Sequence, residues 1–267
     1  DAITDLMPGV PSNGVAGSSV RRDKYLMGET VRCAGLRAVR QQEAVVWDTV
    51  CEEFLTSLGV HETDDQGGWC VLKPTWSAGT DGVFISKSQR EARASFDKIL
   101  GKQNVFGGIN RSVLMQEFLK GKEYAIDSVS VDGEHKCIAV WEYDKRPVNG
   151  AQFVYFGLHL FQSDDGVREE RLVRYAHDVL NAVGCKHGPS HAEAIWLDGE
   201  DAPCLVEVGC RPHGGDGTVT DMTTPIIGYS QVSVMLDLFD RPSEFRRLPK
   251  MPARFAGGAS EACFVSR

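Results

Sequence analysis

Residues 122–162 form one long strand-rich stretch with an Asp-Gly pair at positions 132 and 133. An Asp-Gly pair between two strand-like runs predicts a tight hairpin, because both residues tolerate the backbone conformation that a two-residue turn requires. Strands joined by such a turn are antiparallel, whereas successive strands of a doubly wound parallel sheet are connected through helices. The stretch therefore favours an α+β fold over a doubly wound one.

Helix and strand patterns in the rest of the chain agree with that interpretation. Apolar residues at helical spacing predict helices over residues 22–35, 45–58, 89–100, 169–183 and 225–239. Short apolar runs predict strands over residues 69–74, 83–86, 113–119, 191–197 and 203–208. Because several strands follow one another without an intervening helix, the order of the elements again indicates α+β.

Two of the predicted helices have apolar faces that we expect to be buried. In residues 45–58 the apolar positions repeat every four residues, at Val46, Val50, Phe54 and Leu58. In residues 225–239 the side chains expected to point inward are Ile226, Val232, Met235, Leu236 and Phe239.

Length, charge and hydropathy exclude several classes of protein. The chain has 267 residues, enough for one large or two small domains with a sizeable core. Its formal net charge is -8 and no basic stripe offsets it, so nucleic acid is not expected as a partner. No apolar run approaches the roughly 18 residues of a membrane span, so no membrane partner is expected either. The sequence does not indicate an oligomeric state.

The eight cysteines are scattered, with no C-x-x-C pair and no Cys/His finger spacing. We therefore expect reduced, mostly buried thiols rather than a zinc site. Reduced thiols fit a reducing compartment, which predicts a cytoplasmic protein.

The segment VLKPTWSAGTDGV, residues 71–83, places Lys73 at the end of a buried strand and follows it with a loop that contains Gly79 and Gly82. A nearly buried lysine needs a partner, and a glycine-rich loop lets backbone N–H groups approach phosphate oxygens without Cβ interference. The segment therefore fits a phosphate site. A lysine whose stem covers apolar surface beside an ordinary hairpin turn fits it equally well.

The segment VLMQEFLKGKEYAID, residues 113–127, predicts two strands joined by a tight turn at Lys120 and Gly121. Glu117 and Glu123 flank this crossing. An exposed peptide edge at such a crossing can bind a flat heterocycle, and a carboxylate just beyond it can accept hydrogen bonds from ribose hydroxyls. The alternative is a solvated hairpin whose charges point outward.

The segment 191–217 places Glu193 and Glu207 on two neighbouring strands, each in an otherwise apolar run. Two facing buried carboxylates repel each other unless a cation lies between them, and oxygen ligands suit Mg²⁺ or Mn²⁺. Arg211 follows the second strand and would add positive charge beside the metal. The alternative is that both glutamates face solvent on a polar side of the sheet.

With these segments in this order, the chain resembles the ATP-grasp superfamily, and within it the carboxylate–amine ligases typified by L-amino acid ligases, carnosine synthase and D-alanine–D-alanine ligase. The matching motifs are RRDKYLM, VLKPTWSAGTDGV, VLMQEFLKGKEYAID, EYDKRP, and HAEAIWL to LVEVGCRPHGG, which together span residues 21–217. The resemblance implies an ATP-grasp fold with a small α+β subdomain, residues 21–119, and a large one, residues 120–248. ATP would bind between their antiparallel sheets.

The resemblance also implies roles for individual residues. Nucleotide contacts are implied for Lys24, Lys73, Ser77, Gly79, Gly82, Glu117, Phe118, Leu119 and Glu123. In this set the lysines reach the phosphates, residues 77–82 cover the triphosphate, residues 117–119 meet adenine, and Glu123 receives the ribose. Lys145 matches a further phosphate-directed lysine, Glu193 and Glu207 match magnesium ligands, and Arg211 matches the arginine that steadies the acylphosphate or the tetrahedral intermediate.

The reaction implied by the resemblance joins a carboxylate and an amine. The carboxylate attacks the γ-phosphate of ATP, and the amine then displaces phosphate from the acylphosphate to form an amide or dipeptide. The expected substrates are small molecules, amino acids above all. The alternatives are an ATP-grasp enzyme of the purine-biosynthesis or biotin-carboxylase type, and a non-catalytic ATP-binding module.

Two positions and both ends of the chain qualify the resemblance. Gly209 stands where many relatives have Asn, which puts a second magnesium in question. His213 fits either a position near the substrate or a histidine bonded to loop backbone. Residues 1–20 read as a linker from a missing N-terminal domain and residues 249–267 as the start of a truncated C-terminal β region. On that interpretation we expect weak ATP binding and little turnover.

Overall fold

The chain folds into two antiparallel sheets with helices packed against them. The computed structural model describes residues 6–7, 10–63, 67–163, 166–214 and 217–264. Parts of the predicted linker and of the predicted C-terminal β region therefore lie outside the described residues. The arrangement confirms the α+β fold class, while the predicted subdomain boundaries stay a prediction.

The smaller sheet has four strands in the spatial order β1-β4-β2-β3. Its strands are β1 (Gln41–Ala44), β2 (Cys70–Pro74), β3 (Phe84–Ser86) and β4 (Val113–Glu117). All three pairings are antiparallel.

The larger sheet has six strands in the order β10-β7-β6-β5-β8-β9, again with every pairing antiparallel. Its strands are β5 (Gly121–Val131), β6 (Glu134–Val148), β7 (Ala151–Leu160), β8 (Gly188–Leu197), β9 (Ala202–Gly209) and β10 (Ser260–Ala262). The predicted Asp-Gly hairpin joins β5 to β6, with φ of 51° at Asp132 and 79° at Gly133.

The described part of the chain contains seven α-helices and a short 3-10 turn, Val15–Gly17. They are α1 (Lys24–Cys33), α2 (Thr49–Ser57), α3 (Gln89–Ile99), α4 (Val167–Ala182), α5 (Thr218–Ile227), α6 (Gln231–Asp240) and α7 (Pro242–Arg247). Apolar side chains of α2 and α3 share one core with the smaller sheet, and those of α4 share another with the larger sheet. Helix α1 contributes Met27 and Val31 to the second core while its residues also contact β1.

The predicted helix over residues 45–58 is wrong in its first turn and in half of its buried face, since Phe54 and Leu58 do pack against the core. Helix α2 begins at Thr49, because the Asp48 carboxylate accepts hydrogen bonds from the N–H groups of the first turn and so caps it. Cys51 and Leu55 are the buried side chains, whereas Val46 and Val50 are exposed. The polar strand β1, which the apolar pattern does not reveal, precedes α2 and pairs with β4.

The predicted helix over residues 225–239 is two helices. Gly228, at φ 93°, ends α5, and the Ser230 side chain then caps α6. The break rotates α6, so Val234 is buried while Val232 and Leu236, which we expected inside, are exposed. The side chain of Phe239 lies outside the described residues.

The expected burial of most cysteines agrees with the structure. All eight are free thiols, and Cys51, Cys70, Cys137, Cys185 and Cys204 are buried. Among the helices that the structure describes, none combines the length and apolar character needed to cross a bilayer.

A pair of histidines between the larger sheet and α4 makes the stability of the fold depend on pH. Burial, with help from His135 and Lys250, lowers the pKa of His177 from 6.5 to about 3. The folded protein keeps this ring neutral while the unfolded chain takes up a proton below pH 6.5. We therefore expect the free energy of unfolding to fall by about 2 kcal/mol between pH 7 and pH 5.

Urea unfolding of the wild type and of His177→Gln at several pH values tests this expectation. Glutamine can still bond to Ser128 Oγ, which lies 3.2 Å from the imidazole Nε2, but it cannot titrate. The variant should lose about 2 kcal/mol of the pH dependence. An unchanged slope in the variant would show that other groups cause it.

Candidate active site

A cavity of about 300 Å³ lies between the two sheets. The structure brings to it every side chain or loop position proposed for the site from sequence except Gly82. The residues in question are Lys24, Lys73, Ser77, Gly79, Glu117, Phe118, Leu119, Glu123, Lys145, Glu193, Glu207 and Arg211. Gly82 lies at the back of the loop, where a Cβ would come within 3.0 Å of Pro74, and at φ 67° it also favours glycine.

Lys73, on β2, brings to the cavity a positive charge with no direct partner among the described residues. Its side chain forms no ion pair or hydrogen bond within the described part of the chain, although the residue is only 7% exposed. Burial and the neighbouring Lys24 ammonium lower the pKa of Lys73 to about 8, against the nearby glutamates that raise it. An anion bound in the cavity would relieve this desolvated cation.

Lys24, the first residue of α1, connects the two sides of the cavity. Its Nζ donates to Ser77 O at 2.7 Å and lies 3.1 Å from Glu207 Oε2 on β9. Its backbone N–H donates to Thr75 O at 2.9 Å. One lysine therefore holds the glycine-rich loop against the larger sheet.

The loop of residues 77–82 has a backbone that L-residues rarely adopt. Gly79 has φ 64° and Thr80 has φ 63°. Asp81 stabilises the loop from within, because its Oδ2 accepts from Ser77 Oγ at 2.6 Å and from the N–H of Val105 at 3.0 Å. The loop thus presents small residues and a strained turn to the cavity.

Lys145, on β6, is enclosed by aromatic rings and a carboxylate. Its Nζ lies 4.6 Å from the ring centre of Tyr143 and 4.4 Å from that of Tyr155, and it donates to Glu123 Oε1 at 2.6 Å. Burial alone would lower the pKa of Lys145, but Glu123 and Glu193 raise it well above its usual range. Lys145 therefore stays charged, and the two rings fix its position.

Glu193 and Glu207 are directly opposite each other on β8 and β9, as the sequence predicts. Burial by itself raises the pKa of Glu193, but hydrogen bonding to His191 and the charges of Lys145, His191 and Arg211 lower it to about 2. Glu207 is more open, with 31% of its side chain exposed. Both side chains therefore face the cavity rather than a solvated face of the sheet.

The connection from β4 to β5 combines a bound carboxylate with a free peptide edge. Arg37 Nη1 donates to Glu117 Oε1 at 2.7 Å, and the N–H of Arg40 donates to the same oxygen at 2.8 Å. The Glu117 side chain is therefore occupied by protein donors. The backbone of Leu119 makes no hydrogen bond within the residues described and lines the cavity.

Arg211 lies at the end of β9 and carries a largely free guanidinium. Its one hydrogen bond in the described part of the chain goes from Nη1 to Pro212 O at 3.0 Å. His213, two residues later, bonds through its ring to buried Asp127 rather than to loop backbone. Its backbone N–H donates to Gln231 Oε1 at 2.9 Å.

Sequence reasoning missed the residues that support the predicted ones. They are Arg37, Asp127, Tyr143, Tyr155 and His191. Asp127, Tyr143 and His191 lie inside the matched motifs but had no assigned role there, and Arg37 and Tyr155 lie outside the motifs. Arg37 and Asp127 also bond to partners far away in the sequence. Two signals were available: an aspartate within the apolar run of β5, and tyrosines two residues from Lys145 on one strand and opposite it on the next.

The two antiparallel sheets and the charged cavity between them indicate the class of protein to which the chain belongs. Residues 66–220, more than half of the chain, match the family described as the ATP-grasp domain. The chain belongs to the ATP-grasp family, and the resemblance seen in the sequence is confirmed.

Individual relatives are ligases and synthases. The chain is 34% identical over 259 residues to dapdiamide A synthase of Enterobacter agglomerans, covering 96% of this chain and 57% of that protein. It is 24% identical over 247 residues to alanine–anticapsin ligase of Bacillus subtilis, covering 86% of this chain and 49% of that protein. The crystal structure of an L-amino acid ligase from Bacillus licheniformis shares the fold, with a TM-score of 0.67, 19% identity, and coverage of 89% of this chain and 52% of that one. The chain spans about half the length of these relatives.

Proposed function

We propose that the chain is the ATP-binding and bond-forming part of an ATP-dependent carboxylate–amine ligase. The observation that supports this most is the convergence of Lys24, Lys73, Lys145 and Arg211 with the side chains of two glutamates on one cavity. Such a set of charges suits phosphoryl transfer, in which a protein mainly positions the groups and stabilises charge. The names of the relatives, which include an alanine–anticapsin ligase, support amide formation between amino acids.

Apolar side chains and a free peptide edge support binding of the nucleotide base. Val71, Ile195 and Leu205 line the same cavity as the backbone of Leu119. A flat heterocycle can pack between such side chains and bond to the free peptide edge. We assign the ribose to Glu123, which lines the cavity beside Lys145.

The donor set fits a hard divalent cation. Glu193 and Glu207 face each other across β8 and β9 and offer oxygen atoms alone, which is the chemistry that Mg²⁺ or Mn²⁺ prefers. Such a cation, when bound, neutralises phosphate charge. Lys24, which contacts Glu207 in the free protein, would then be released toward the phosphates.

The side chains of this protein divide the proposed reaction between them. Lys73 and Lys145 hold the triphosphate, while the carboxylate of the first substrate attacks its γ-phosphorus and ADP leaves. Arg211 stabilises the negative charge of the acylphosphate and of the tetrahedral intermediate that the amine forms from it. The proposal needs no nucleophilic side chain, because the substrate carboxylate is the nucleophile of the first step and the amine that of the second.

Two measurements on the chain test this proposal. Mg·ATP at 100 times its dissociation constant should stabilise the fold by about 2.7 kcal/mol, which a thermal shift detects. Phosphate release should require both an acid and an amine when pairs of L-amino acids are screened. Release that depends on bicarbonate instead would point to the carboxylase branch, and the absence of any thermal shift would contradict nucleotide binding.

A further inference from the structure

We propose that Asp127, His191 and His213 bind one zinc ion, at a site distinct from the pair of glutamates at the cavity. None of the three side chains has a part in the phosphate chemistry proposed above, and none lines the cavity of about 300 Å³. The inference therefore does not rest on the proposed function, and its test does not require turnover.

The fold brings these three side chains together from distant parts of the chain. Asp127 on β5 lies directly opposite His191 on β8, so the two side chains leave the sheet on the same face. His213 reaches them from the loop that follows β9. Asp127 and His191 are each 3% exposed, and the side chain of His213 is 8% exposed. Among the described residues, this is the one group of three metal-binding side chains whose ligand atoms lie within 4.8 Å of one another.

Each oxygen of the Asp127 carboxylate faces one imidazole nitrogen. His213 Nδ1 lies 2.7 Å from Oδ2, and His191 Nδ1 lies 2.8 Å from Oδ1. Zinc binds nitrogen and oxygen at about 2.0–2.2 Å, which sets neighbouring ligand atoms of a tetrahedral site about 3.3 Å apart. The ion would therefore replace the hydrogens shared by these atoms after the rings move outward by about 1 Å or less. Pro212 and Gly214 are exposed, so the loop that carries His213 has room for this movement.

Two imidazoles and one carboxylate form a set of donors that favours zinc over magnesium. Imidazole nitrogen suits Zn²⁺, whereas Mg²⁺ prefers oxygen ligands. Glu193 and Glu207 offer oxygen atoms alone, so the two sites should select different ions. Three protein ligands leave one position of a four-coordinate zinc ion, which a water molecule or the second oxygen of Asp127 can fill.

The residues around the three ligands supply the outer hydrogen bonds that a zinc site needs. His191 Nε2 lies 3.2 Å from Glu193 Oε1, so the nitrogen that would not bind zinc faces a carboxylate. Metal-bound histidines almost always have such a partner, which fixes the orientation of the ring. Trp141 Nε1 donates to Asp127 Oδ2 at 2.8 Å and orients the carboxylate in the same way.

A zinc ion at this position would fasten the loop after β9 to the larger sheet. The loop is already tied there through Gln231, whose Oε1 accepts from the backbone N–H of His213 at 2.9 Å. The Nε2 of Gln231 donates to Ser128 O on β5 and to Ser190 O on β8. Arg211, two residues before His213, lines the cavity. The ion would thus also fix the position of the arginine that we assign to the acylphosphate.

Elemental analysis of the chain, produced without an affinity tag in cells grown with added Zn²⁺, tests the site with the ion present during folding. The wild type should carry one zinc ion per chain, and Co²⁺ in its place should give the visible absorption of a four-coordinate site. Removal of zinc by a chelator should lower the melting temperature by roughly 5 °C or more. His213→Asn should bind zinc at least 100-fold more weakly, because its amide N–H can still donate to Asp127 but has no lone pair for the ion.

Two control variants should keep their zinc. His135→Asn changes another buried histidine, whose Nδ1 lies 2.7 Å from Ser130 Oγ and whose Nε2 lies 3.1 Å from Asn181 Oδ1. Glu207→Gln removes a carboxylate from the proposed magnesium site alone.

Three results would overturn the inference. They are a wild type without zinc, equal zinc binding by the wild type and His213→Asn, and loss of zinc from Glu207→Gln, which would place the ion at the pair of glutamates. If His213→Asn does not fold, NMR of the histidine-¹⁵N-labelled wild type decides the question. Removal of zinc should then shift the Nδ1 signals of both His191 and His213, and unchanged signals would exclude these ligands.

Discussion

Replacing Glu207 with glutamine should lower the rate of phosphate release by about 10³-fold, with the fold intact. The change keeps the shape of the side chain but removes one of two facing carboxylates, and a cation that stabilises the transferring phosphoryl group contributes several kcal/mol. Glu207 is partly exposed, and its one ion pair among the described residues is with Lys24, which keeps its bond to Ser77 O in the variant. We therefore expect little change in the thermal unfolding of the free protein.

A titration of phosphate release with magnesium and manganese is the measurement, and Glu134→Gln is the matched control. Glu134 also forms a lysine–glutamate pair, 2.8 Å from Lys136, but it lies at the β5–β6 hairpin and does not line the cavity. The control should keep the wild-type rate and metal dependence. A Glu207→Gln variant that is as active as the control would remove Glu207 from the metal site.

Replacing Lys73 with methionine should weaken ATP binding by about 10²-fold or more. Removing one partner of a buried charge pair costs about 2–5 kcal/mol. In the variant, bound phosphate would lose the Lys73 ammonium, a cation that has no other anion to bond to. The free protein should not lose stability, because methionine replaces a buried ammonium that lacks an ion pair in the described residues. Greater stability with weaker binding is the pattern we expect.

Lys136→Met is the matched control for this second variant. Lys136 is also buried, but its Nζ donates to Leu248 O at 2.8 Å and pairs with Glu134, away from the cavity. Its replacement should lower the melting temperature and leave the dissociation constant of ATP unchanged, by calorimetric titration. If Lys73→Met binds ATP as tightly as Lys136→Met, Lys73 is not a phosphate ligand.

Side chains with a chemistry of their own could be placed from the sequence. Lys73 is a charged residue at a strand end, and Glu193 and Glu207 are charged residues in apolar runs. The Asp-Gly hairpin is indicated by two neighbouring residues. Each of these signals lies within one segment, so it does not depend on contacts with distant parts of the chain. The register that sets Glu193 against Glu207 depends on a bulge between Glu193 and Ala194, which the sequence does not reveal. The pairing that starts at the β8–β9 turn would by itself set Glu193 against Val206.

Other features depend on contacts between distant segments, which no single segment reveals. Strand β1 is polar and exists because β4 offers it a partner, so apolar periodicity could not show it. Asp127 has its histidine partners 64 and 86 residues away. The second helix was misplaced because a cap at Asp48 overrode the apolar repeat that began at Val46.

Arg37 limits how the two sheets can move. It lies between α1 and β1 and bonds to Glu200, in the β8–β9 turn, through Nε at 2.7 Å and Nη2 at 2.8 Å, while its Nη1 holds Glu117 at the end of β4. These bonds oppose separation of the two sheets at that point. We therefore expect any opening of the cavity to be a rotation about Arg37, with the largest displacement at the loop of residues 77–82.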